Sequence, residues 1–329
     1  MEKLSELLSL LVKVGEFTEF VSKSDCDKIE FYVEYKDDMS PVTFADLGVQ
    51  LIITAWLTEN FNGFSLIAEE SLNEFFTHLR KVVSVKKLLS QFGVEIGVLD
   101  MIRIFRANRL KEENPRSFWV LDPVDGTKGF LRGGQYAISL AYVEEGRVKA
   151  GFLVCPRLGL PELLGVATSG CIFFAEDGKG AWIMPLCDVN RKVSIKVSNR
   201  VDFKESVLLC SYESTHTDRE KTEKFKSILG INREVFVDSQ VKYGLLACGL
   251  GDLMLRFPPK DQPDYREKIW DHAGGAIVLQ EAGGRLTDLY GGGFEFKPFQ
   301  YFHDNVGVFA SNGILHPRGL EVLRTLMGD

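Results

Sequence analysis

The sequence predicts an α/β protein of mixed (α+β) type with two domains. Residues 118–183 hold short apolar or alternating runs between glycine-rich turns, the pattern of an antiparallel sheet. After residue 195, strand-like and helix-like segments alternate, which is typical of a layered α/β structure. The 329 residues are enough for two domains. We place the boundary so that an α+β domain spans 1–194 and an α/β domain spans 195–329.

Hydrophobic periodicity defines the elements of the first domain. Its helices are predicted over Glu2–Ser22 and Ala45–Asn60. Its strands are predicted at Ile29–Glu34, Ser65–Ala68, Phe118–Gly126, Ala137–Glu144, Val148–Val154, Cys171–Ala175 and Gly180–Ile183. Residues 72–115 contain helical stretches that could form an insertion or a lid.

The sequence pattern changes near Lys192–Asn199, and the second domain begins there. Strands are predicted at Ser206–Cys210, Glu234–Val237 and Asp252–Phe257, and helices at Thr222–Leu229, Val241–Cys248 and Ala273–Ala282. The last helix runs into two glycines, which are good helix-terminating residues because they tolerate the left-handed conformation.

Composition and charge narrow the class of protein. Hydrophobic residues make up 45% of the chain and charged residues 26%, as in ordinary globular proteins. The net charge of -7 argues against nucleic acid or an anionic membrane as a partner. None of the six cysteines lies in a C-x-x-C pair, and no apolar run approaches the ~18 residues of a membrane span. We therefore expect a cytosolic monomer.

Leu121–Gly133, with the sequence LDPVDGTKGFLRG, is the most informative segment. Pro123 and Gly126 predict a tight turn after a buried strand, because proline fixes φ and glycine tolerates unusual φ and ψ. This turn carries two carboxylates, Asp122 and Asp125. Convergent carboxylates repel each other unless a cation lies between them. Oxygen ligands without a nearby cysteine or histidine favour Mg²⁺ over zinc.

Further carboxylates stand where an apolar strand ends or a helix begins, namely Asp46, Glu69, Glu70 and Asp271. Each has a structural alternative. Asp46 could stabilise the first turn of a helix, the glutamates could be solvated turn residues, and Asp271 could be an N-cap. The aspartates of the turn could likewise form an Asx-type turn. Together, however, such positions gather at one edge of an α/β layer, where a bound divalent metal favours phosphate chemistry.

Three motifs, in this order, carry a resemblance to a known family: Glu69–Ser71 (EES), Asp122–Thr127 (DPVDGT) and Trp270–Gly275 (WDHAGG). They resemble the Mg²⁺-dependent, lithium-sensitive phosphomonoesterases of the inositol monophosphatase superfamily. Four further segments resemble the bisphosphate nucleotidase branch of this superfamily: Ser40–Thr43, Lys128–Phe130, Asp238–Tyr243 and Lys268–His272. The resemblance covers about Leu7 to Asn312. It implies a layered αβαβα sandwich in which two domains share a metal cleft.

The resemblance also implies a site for two to three Mg²⁺ ions, with inhibition by Li⁺. Glu69, Asp122 and the carbonyl of Val124 match the first metal site. Asp122, Asp125 and Asp271 match the second.

The remaining site residues follow from the same resemblance. Asp46 and Glu69 match a third, weaker metal site, and Asp46 with Thr127 matches the pair that orients and deprotonates the attacking water. Amides of Gly126 and Thr127 can donate to phosphate oxygens. The other substrate-binding positions that match are His216, Asp238, Ser239, Lys242 and Arg256. From the residues alone, Lys242 and Arg256 could be solvated surface charges. His272 is expected to pack in the core or to contact a site residue without touching metal or substrate.

The activity implied is hydrolysis of the 3'-phosphate of adenosine 3',5'-bisphosphate (PAP) to AMP and phosphate. The sulfated analogue, 3'-phosphoadenosine 5'-phosphosulfate (PAPS), is an expected second substrate, which points to sulfur metabolism. One alternative is a phosphatase for inositol 1-phosphate or inositol 1,4-bisphosphate. An alternative of another class is a non-catalytic nucleotide sensor on the same fold.

Overall fold

A computed structural model describes residues 3–23, 33–35, 41–70, 79–107, 115–213 and 217–328. In these residues, five layers alternate between helices and sheets. The predicted αβαβα sandwich is therefore confirmed.

The elements are numbered in chain order. The described helices are α1 (Leu4–Lys23), α2 (Phe44–Asn60), α3 (Leu79–Gln91), α4 (Val98–Ala107), α5 (Thr127–Leu131), α6 (Pro161–Leu164), α7 (Arg219–Leu229), α8 (Val241–Ala247), α9 (Ala273–Glu281) and α10 (His316–Met327). The described strands are β1 (Val33–Tyr35), β2 (Pro41–Thr43), β3 (Leu66–Ala68), β4 (Ser117–Asp125), β5 (Ala137–Glu144), β6 (Arg147–Cys155), β7 (Cys171–Glu176), β8 (Ala181–Pro185), β9 (Val193–Ile195), β10 (Val207–Cys210), β11 (Arg233–Phe236), β12 (Leu253–Arg256), β13 (Arg285–Thr287) and β14 (Val308–Ser311).

The larger sheet has seven strands in sequence order from β3 to β9. Only the β3–β4 pair is parallel, so the predicted antiparallel sheet is present from β4 onward. Strand β4 is buried on both faces: Trp119 and Leu121 pack with α1 and α2, whereas Phe118 and Val120 face the middle helices. Burial on both faces explains why this strand reads as a continuous apolar run rather than an alternating one.

Helices α3 and α4 belong to the outer helical layer. Both contact α2, and Val85, Leu89 and Met101 are fully buried in the core that α1 and α2 share with the seven-stranded sheet. Of the two alternatives left open for residues 72–115, the described portion therefore forms packed helices and not a lid over the cleft.

The smaller sheet has the order β11-β10-β12-β14-β13 and is mixed, since β10 pairs in parallel with β11 and β12 while β14 runs antiparallel. Helices α8 and α9 fill the space between the two sheets, and α7 and α10 cover the outer face of the smaller one. The seven-stranded sheet ends at Ile195 and the smaller sheet starts at Val207. We keep the division 1–194 and 195–329 as a proposal, with α8 and α9 joining both halves in one core.

The sequence analysis did not predict the strands β2, β9, β13 and β14 or the helices α5, α6 and α10. Of the predicted strand Ile29–Glu34, only residues 33–34 are described, and they belong to β1. The five described cysteines are free thiols. None of the described helices combines the length and the apolar character that a membrane crossing requires.

Candidate active site

The Asp122–Asp125 segment contains a β-bulge. Asp122 pairs with Ser139 and Asp125 pairs with Ala137, so three steps on β4 oppose two on β5. A bulge bends its strand and re-aims the side chains on it. Both aspartates accordingly line one cleft of about 920 Å³, within the usual size of a small-molecule site.

The turn that follows depends on Gly126. Its φ of +83° lies in the left-handed region, and an added Cβ would stand 2.9 Å from the Cβ of Ser239. The glycine thus lets the turn approach the second half of the chain. Beyond it, the Thr127 hydroxyl donates to the carbonyl oxygen of Val124 at 3.0 Å, which fixes the orientation of the hydroxyl.

We expect Gly126→Ala to destabilise the protein more than Gly133→Ala. Both glycines have positive φ, but an added Cβ at Gly133 has no atom within 4 Å. The Gly133 variant measures backbone strain alone, about 1 kcal/mol, and the Gly126 variant adds the contact with Ser239, for a total of about 2–3 kcal/mol. Thermal midpoints of the metal-free proteins would check this, and equal losses would contradict it.

Asp46 has the structural role that its position suggested and also faces the site. It stands at the third position of α2 and closes a capping box with Thr43, whose backbone N–H and hydroxyl both donate to Asp46 Oδ2 at 2.7 Å. The carboxylate is 1% exposed, and its charge acts on Asp122. Helix α5, which begins with Thr127, contacts β2 directly before the capping box. The capping alternative is therefore compatible with a place beside the turn.

Glu69 lies in the cleft and Glu70 does not. The Glu69 backbone N–H donates to the Leu121 carbonyl at 3.2 Å, which continues the β3–β4 pairing. Gln50 of α2 holds the next residue, because its side-chain amide donates to the Glu70 carbonyl at 2.8 Å and accepts from the Glu70 N–H at 3.3 Å. The buried Gln50, which sequence analysis missed, thus fixes the backbone beside Glu69.

Asp271 enters the cleft from the second half of the chain. It ends the short 3-10 turn Ile269–Asp271, and His272 is the N-cap of α9, so the N-cap alternative for Asp271 is wrong. As expected, His272 is a packing residue. It is 3% exposed, and its ring nitrogens hydrogen-bond Tyr243 at 2.7 Å and Glu267 at 3.0 Å.

The carboxylates of the cleft act on one another. Burial raises the pKa of Asp122 well above its usual range, and the charges of Glu69, Asp125 and Asp271 raise it further. Burial, followed by the charge of Asp271, raises the pKa of Asp125 to about 7. The pKa of Asp271 is also raised by burial, although Arg256 opposes the shift.

These observations fit a cation-binding site. Asp122 Oδ1 is buried and has no hydrogen-bond partner among the described residues. An oxygen in that position is stabilised by a cation, and hard oxygen ligands suit Mg²⁺. No three of the predicted metal acids bring their ligand atoms within 4.8 Å of one another in the described chain; that spacing is met by Glu267, Asp271 and His272. Since Glu267 also pairs with Arg256 at 2.9 Å, we regard this second group as an ion-pair network.

The contribution of Asp125 to the free energy of unfolding should fall as pH rises. A salt-bridged aspartate, whose pKa is lowered, would show the opposite dependence. With a raised pKa in the folded state, Asp125 favours folding at low pH, and that contribution is lost as pH rises from its unfolded pKa near ~4 through about 7. In chelator, Asp125→Asn should therefore gain several degrees of thermal stability relative to the parent between about pH 5 and about pH 8. A constant difference across this range would contradict the expectation.

Basic side chains also line the cleft, close to its acids. Lys242 and Arg256 are both partly buried, which argues against the solvated-surface alternative, and Arg256 Nη1 lies 4.0 Å from Asp271 Oδ2. Burial lowers the pKa of Lys242 to about 8, and the charge of Asp125 counters that shift. Arg256 pairs with Glu267 and donates to the Tyr265 hydroxyl at 3.2 Å.

The Asp238–Ser239 turn forms the cleft wall facing Gly126. Asp238 pairs with Arg132 at 2.5 Å, and Ser239 has a φ of +67°, an unusual conformation for a residue with a side chain. Strained backbone of this kind is often retained at functional sites. Arg132 was not among the predicted site residues. His216 was, but it lies outside the described residues, which stop at 213 and resume at 217.

Comparison with known proteins identifies the family of the chain. The chain is 38% identical over 323 residues to a 3'(2'),5'-bisphosphate nucleotidase of Oryza sativa, with 91% of this chain and 87% of that protein aligned. It is 34% identical over 318 residues to a protein of the same name from Emericella nidulans, with coverages of 89% and 90%.

Solved structures share the fold. An IMPase from Thermotoga maritima superposes with a TM-score of 0.66 at 23% identity, covering 99% of this chain and 98% of that one. An inositol monophosphatase from Anabaena gives a TM-score of 0.63 at 18% identity, with coverages of 98% and 97%. The model of the inositol monophosphatase family matches residues 4–327. Nearly the whole chain thus confirms the resemblance first carried by three short motifs, and the protein belongs to the inositol monophosphatase family.

Proposed function

We propose that the chain is a Mg²⁺-dependent, Li⁺-sensitive phosphatase that hydrolyses the 3'-phosphate of PAP to AMP and phosphate, and that PAPS is a second substrate. One observation carries the proposal: a single cleft is lined both by the clustered carboxylates and by the cations Lys242 and Arg256. A substrate with two phosphates matches this combination, because one phosphate can meet the metal ions that the acids would hold and the other can meet the cations. The names of the relatives at 34–38% identity support the same substrate class.

The carboxylates of the cleft would hold two to three metal ions. We assign Glu69, Asp122 and the Val124 carbonyl to one ion, and Asp122, Asp125 and Asp271 to another. Asp46 and Glu69 would share a weaker third. When bound, such ions supply positive charge for the phosphoryl oxygens and lower the pKa of water. The Val124 carbonyl oxygen accepts a hydrogen bond from the Thr127 hydroxyl, and a carbonyl oxygen has a second lone pair with which it could bind an ion.

Thr127 and Asp46 would handle the attacking water. The hydroxyl of Thr127 donates to Val124, which leaves its own lone pairs free to accept a hydrogen bond from a water. Asp46 is held in place by two hydrogen bonds from Thr43 and can take up the proton. The backbone amides of Gly126 and Thr127, at the adjoining turn, would donate to the phosphate that is cleaved.

The cations Lys242 and Arg256 would hold the phosphate that is not cleaved. Lys242 lies near Asp125, Asp238 and Arg256, and a phosphate there would gain a charge-assisted hydrogen bond. Arg256 offers a planar fork for a second one. We assign the turn residues Asp238 and Ser239 to the nucleoside, and His216 keeps its predicted role on the nucleotide side. The cytosolic location and the monomeric state stay predictions.

Phosphate release from PAP, with the nucleotide product identified by chromatography, would test the proposal. We expect equal amounts of AMP and phosphate, no release in chelator, recovery with Mg²⁺, and loss of turnover in millimolar Li⁺. Release of the 5'-phosphate, or turnover that ignores chelator and Li⁺, would overturn it. Binding of PAP without turnover would favour the nucleotide sensor instead.

A further inference from the structure

Gln240 is a buried residue at the junction of the two halves of the cleft. It is 2% exposed and lies between the bulge of β4, strand β5 and the segment that leads into α9. Its backbone N–H donates to Asp125 Oδ2 at 2.5 Å. Gln240 therefore contacts one of the proposed metal ligands directly, although its side chain points elsewhere.

The side-chain amide of Gln240 connects three separate segments. Its Nε2 donates to the carbonyl oxygen of Trp270 at 2.9 Å. Its Oε1 accepts from the backbone N–H of Gly275 and from the hydroxyl of Ser139, both at 3.1 Å. The Trp270 carbonyl belongs to the peptide bond that joins Trp270 to Asp271. One residue thus holds Asp125 through its backbone and the Asp271 peptide through its side chain.

This connection opposes a repulsion. Asp125 comes from the first half of the chain and Asp271 from the second, and both carboxyl groups line the same cleft. Two carboxylates in one cleft repel each other, so other contacts are needed to fix their separation. The hydrogen bonds of Gln240 are buried, where they restrain geometry more strongly than exposed ones do.

The backbone that presents Gln240 is itself fixed. Ser239, immediately before it, has the left-handed φ of +67°. Gly126 abuts Ser239 so closely that an added Cβ would come within 2.9 Å. The two turns thus pack against each other, and the N–H of Gln240 is directed at Asp125.

We propose that Gln240 is a positioning residue that sets the separation between Asp125 and Asp271 and thereby the affinity of the cleft for a divalent cation. The inference rests on the proposed function, because it assumes that these two acids share a metal ion. Residues that orient metal ligands without touching the metal typically change metal affinity about 10- to 100-fold when mutated.

The test compares Gln240→Met with a matched control, Asn312→Leu. Asn312 is also a 2% exposed amide that joins separate segments, through hydrogen bonds to Ser198, Arg200 and Leu315, but it does not line the cleft. Both changes replace a buried amide with an apolar side chain of similar size. Mn²⁺ binding to the substrate-free proteins is measured by calorimetry, and thermal midpoints are measured in chelator.

We expect both variants to lose thermal stability and only Gln240→Met to bind Mn²⁺ more weakly, by about tenfold or more. Gln240→Asn, which is polar but one methylene short of its partners, should fold more readily and weaken binding in the same direction. Parent-like affinity in folded Gln240→Met or Gln240→Asn would overturn the inference and leave the proposed function standing. An equal loss of affinity in Asn312→Leu would also overturn it. A parent protein that binds no divalent ion would overturn the proposed function itself.

Discussion

Asp122→Asn is expected to reduce kcat/KM for PAP by at least about 10³-fold, because a metal site supplies several kcal/mol of charge stabilisation and each 1.4 kcal/mol is tenfold in rate. Asp122 is assigned to both principal metal sites. Its Oδ1 is a buried oxygen with no hydrogen-bond partner among the described residues. Asparagine keeps the size of the side chain and removes its charge. Phosphate release under saturating Mg²⁺ measures the effect.

The same variant should not lose stability in the metal-free state. Burial and the charges of Glu69 and Asp125 disfavour the ionised form of Asp122. Removing this charge should therefore leave the thermal midpoint equal or higher. Asp177→Asn is the matched control, since Asp177 is an exposed acid in the turn after β7 that pairs with Lys149. It should retain parent activity. A residual rate near the parent's in Asp122→Asn would contradict the assignment.

Lys242→Met should separate the contribution of the cations from that of the metal-binding acids. Methionine keeps the length of the side chain but cannot pair with a phosphate, and a hydrogen bond to a charged group contributes about 1.5–3 kcal/mol. We expect KM for PAP to rise about 10- to 100-fold with a smaller change in kcat, because the uncleaved phosphate is bound in both ground and transition states. Initial rates over a range of PAP concentrations give both constants.

Two comparisons make this result specific. Lys179→Met removes an exposed lysine that pairs with Glu176 outside the cleft, and should behave like the parent. Hydrolysis of inositol 1-phosphate, which has no second phosphate, should change little in Lys242→Met. An equal loss of activity toward both substrates would mean that Lys242 supports the metal-binding acids and does not bind the second phosphate.

The central part of this site could be predicted because its sequence pattern is local. Pro123 and Gly126 mark the turn, and the apolar run before Asp122 marks a strand covered on both faces. A role for Asp46 in the first turn of α2 was one of the alternatives considered, although its capping partner Thr43 was not predicted. Such features involve residues within a few positions of one another, where backbone preferences decide the outcome.

Other features depend on contacts between distant segments. Gln240 hydrogen-bonds Ser139 and Asp125, which are 101 and 115 positions away in the chain. Nothing in its local pattern distinguishes it from a surface glutamine. The ion pair of Arg132 with Asp238 spans 106 positions and was missed for the same reason.

Short strands could not be predicted from the sequence either. Strands β13 and β14 have three and four residues, too few to show a clear period of two. The bulge between Asp122 and Asp125 is likewise a property of the pairing with β5 and not of β4 alone. The packing of α3 and α4 on α2 could not be foreseen, because an amphipathic helix shows which face it buries but not its partner.

The most direct test of the account is the ratio of kcat/KM for PAP to kcat/KM for inositol 1-phosphate, measured with saturating Mg²⁺. The cations Lys242 and Arg256 in the cleft predict that PAP is preferred by at least about tenfold, since one charge-assisted contact is worth that much. A preference for inositol 1-phosphate would contradict the account and favour the inositol phosphatase alternative.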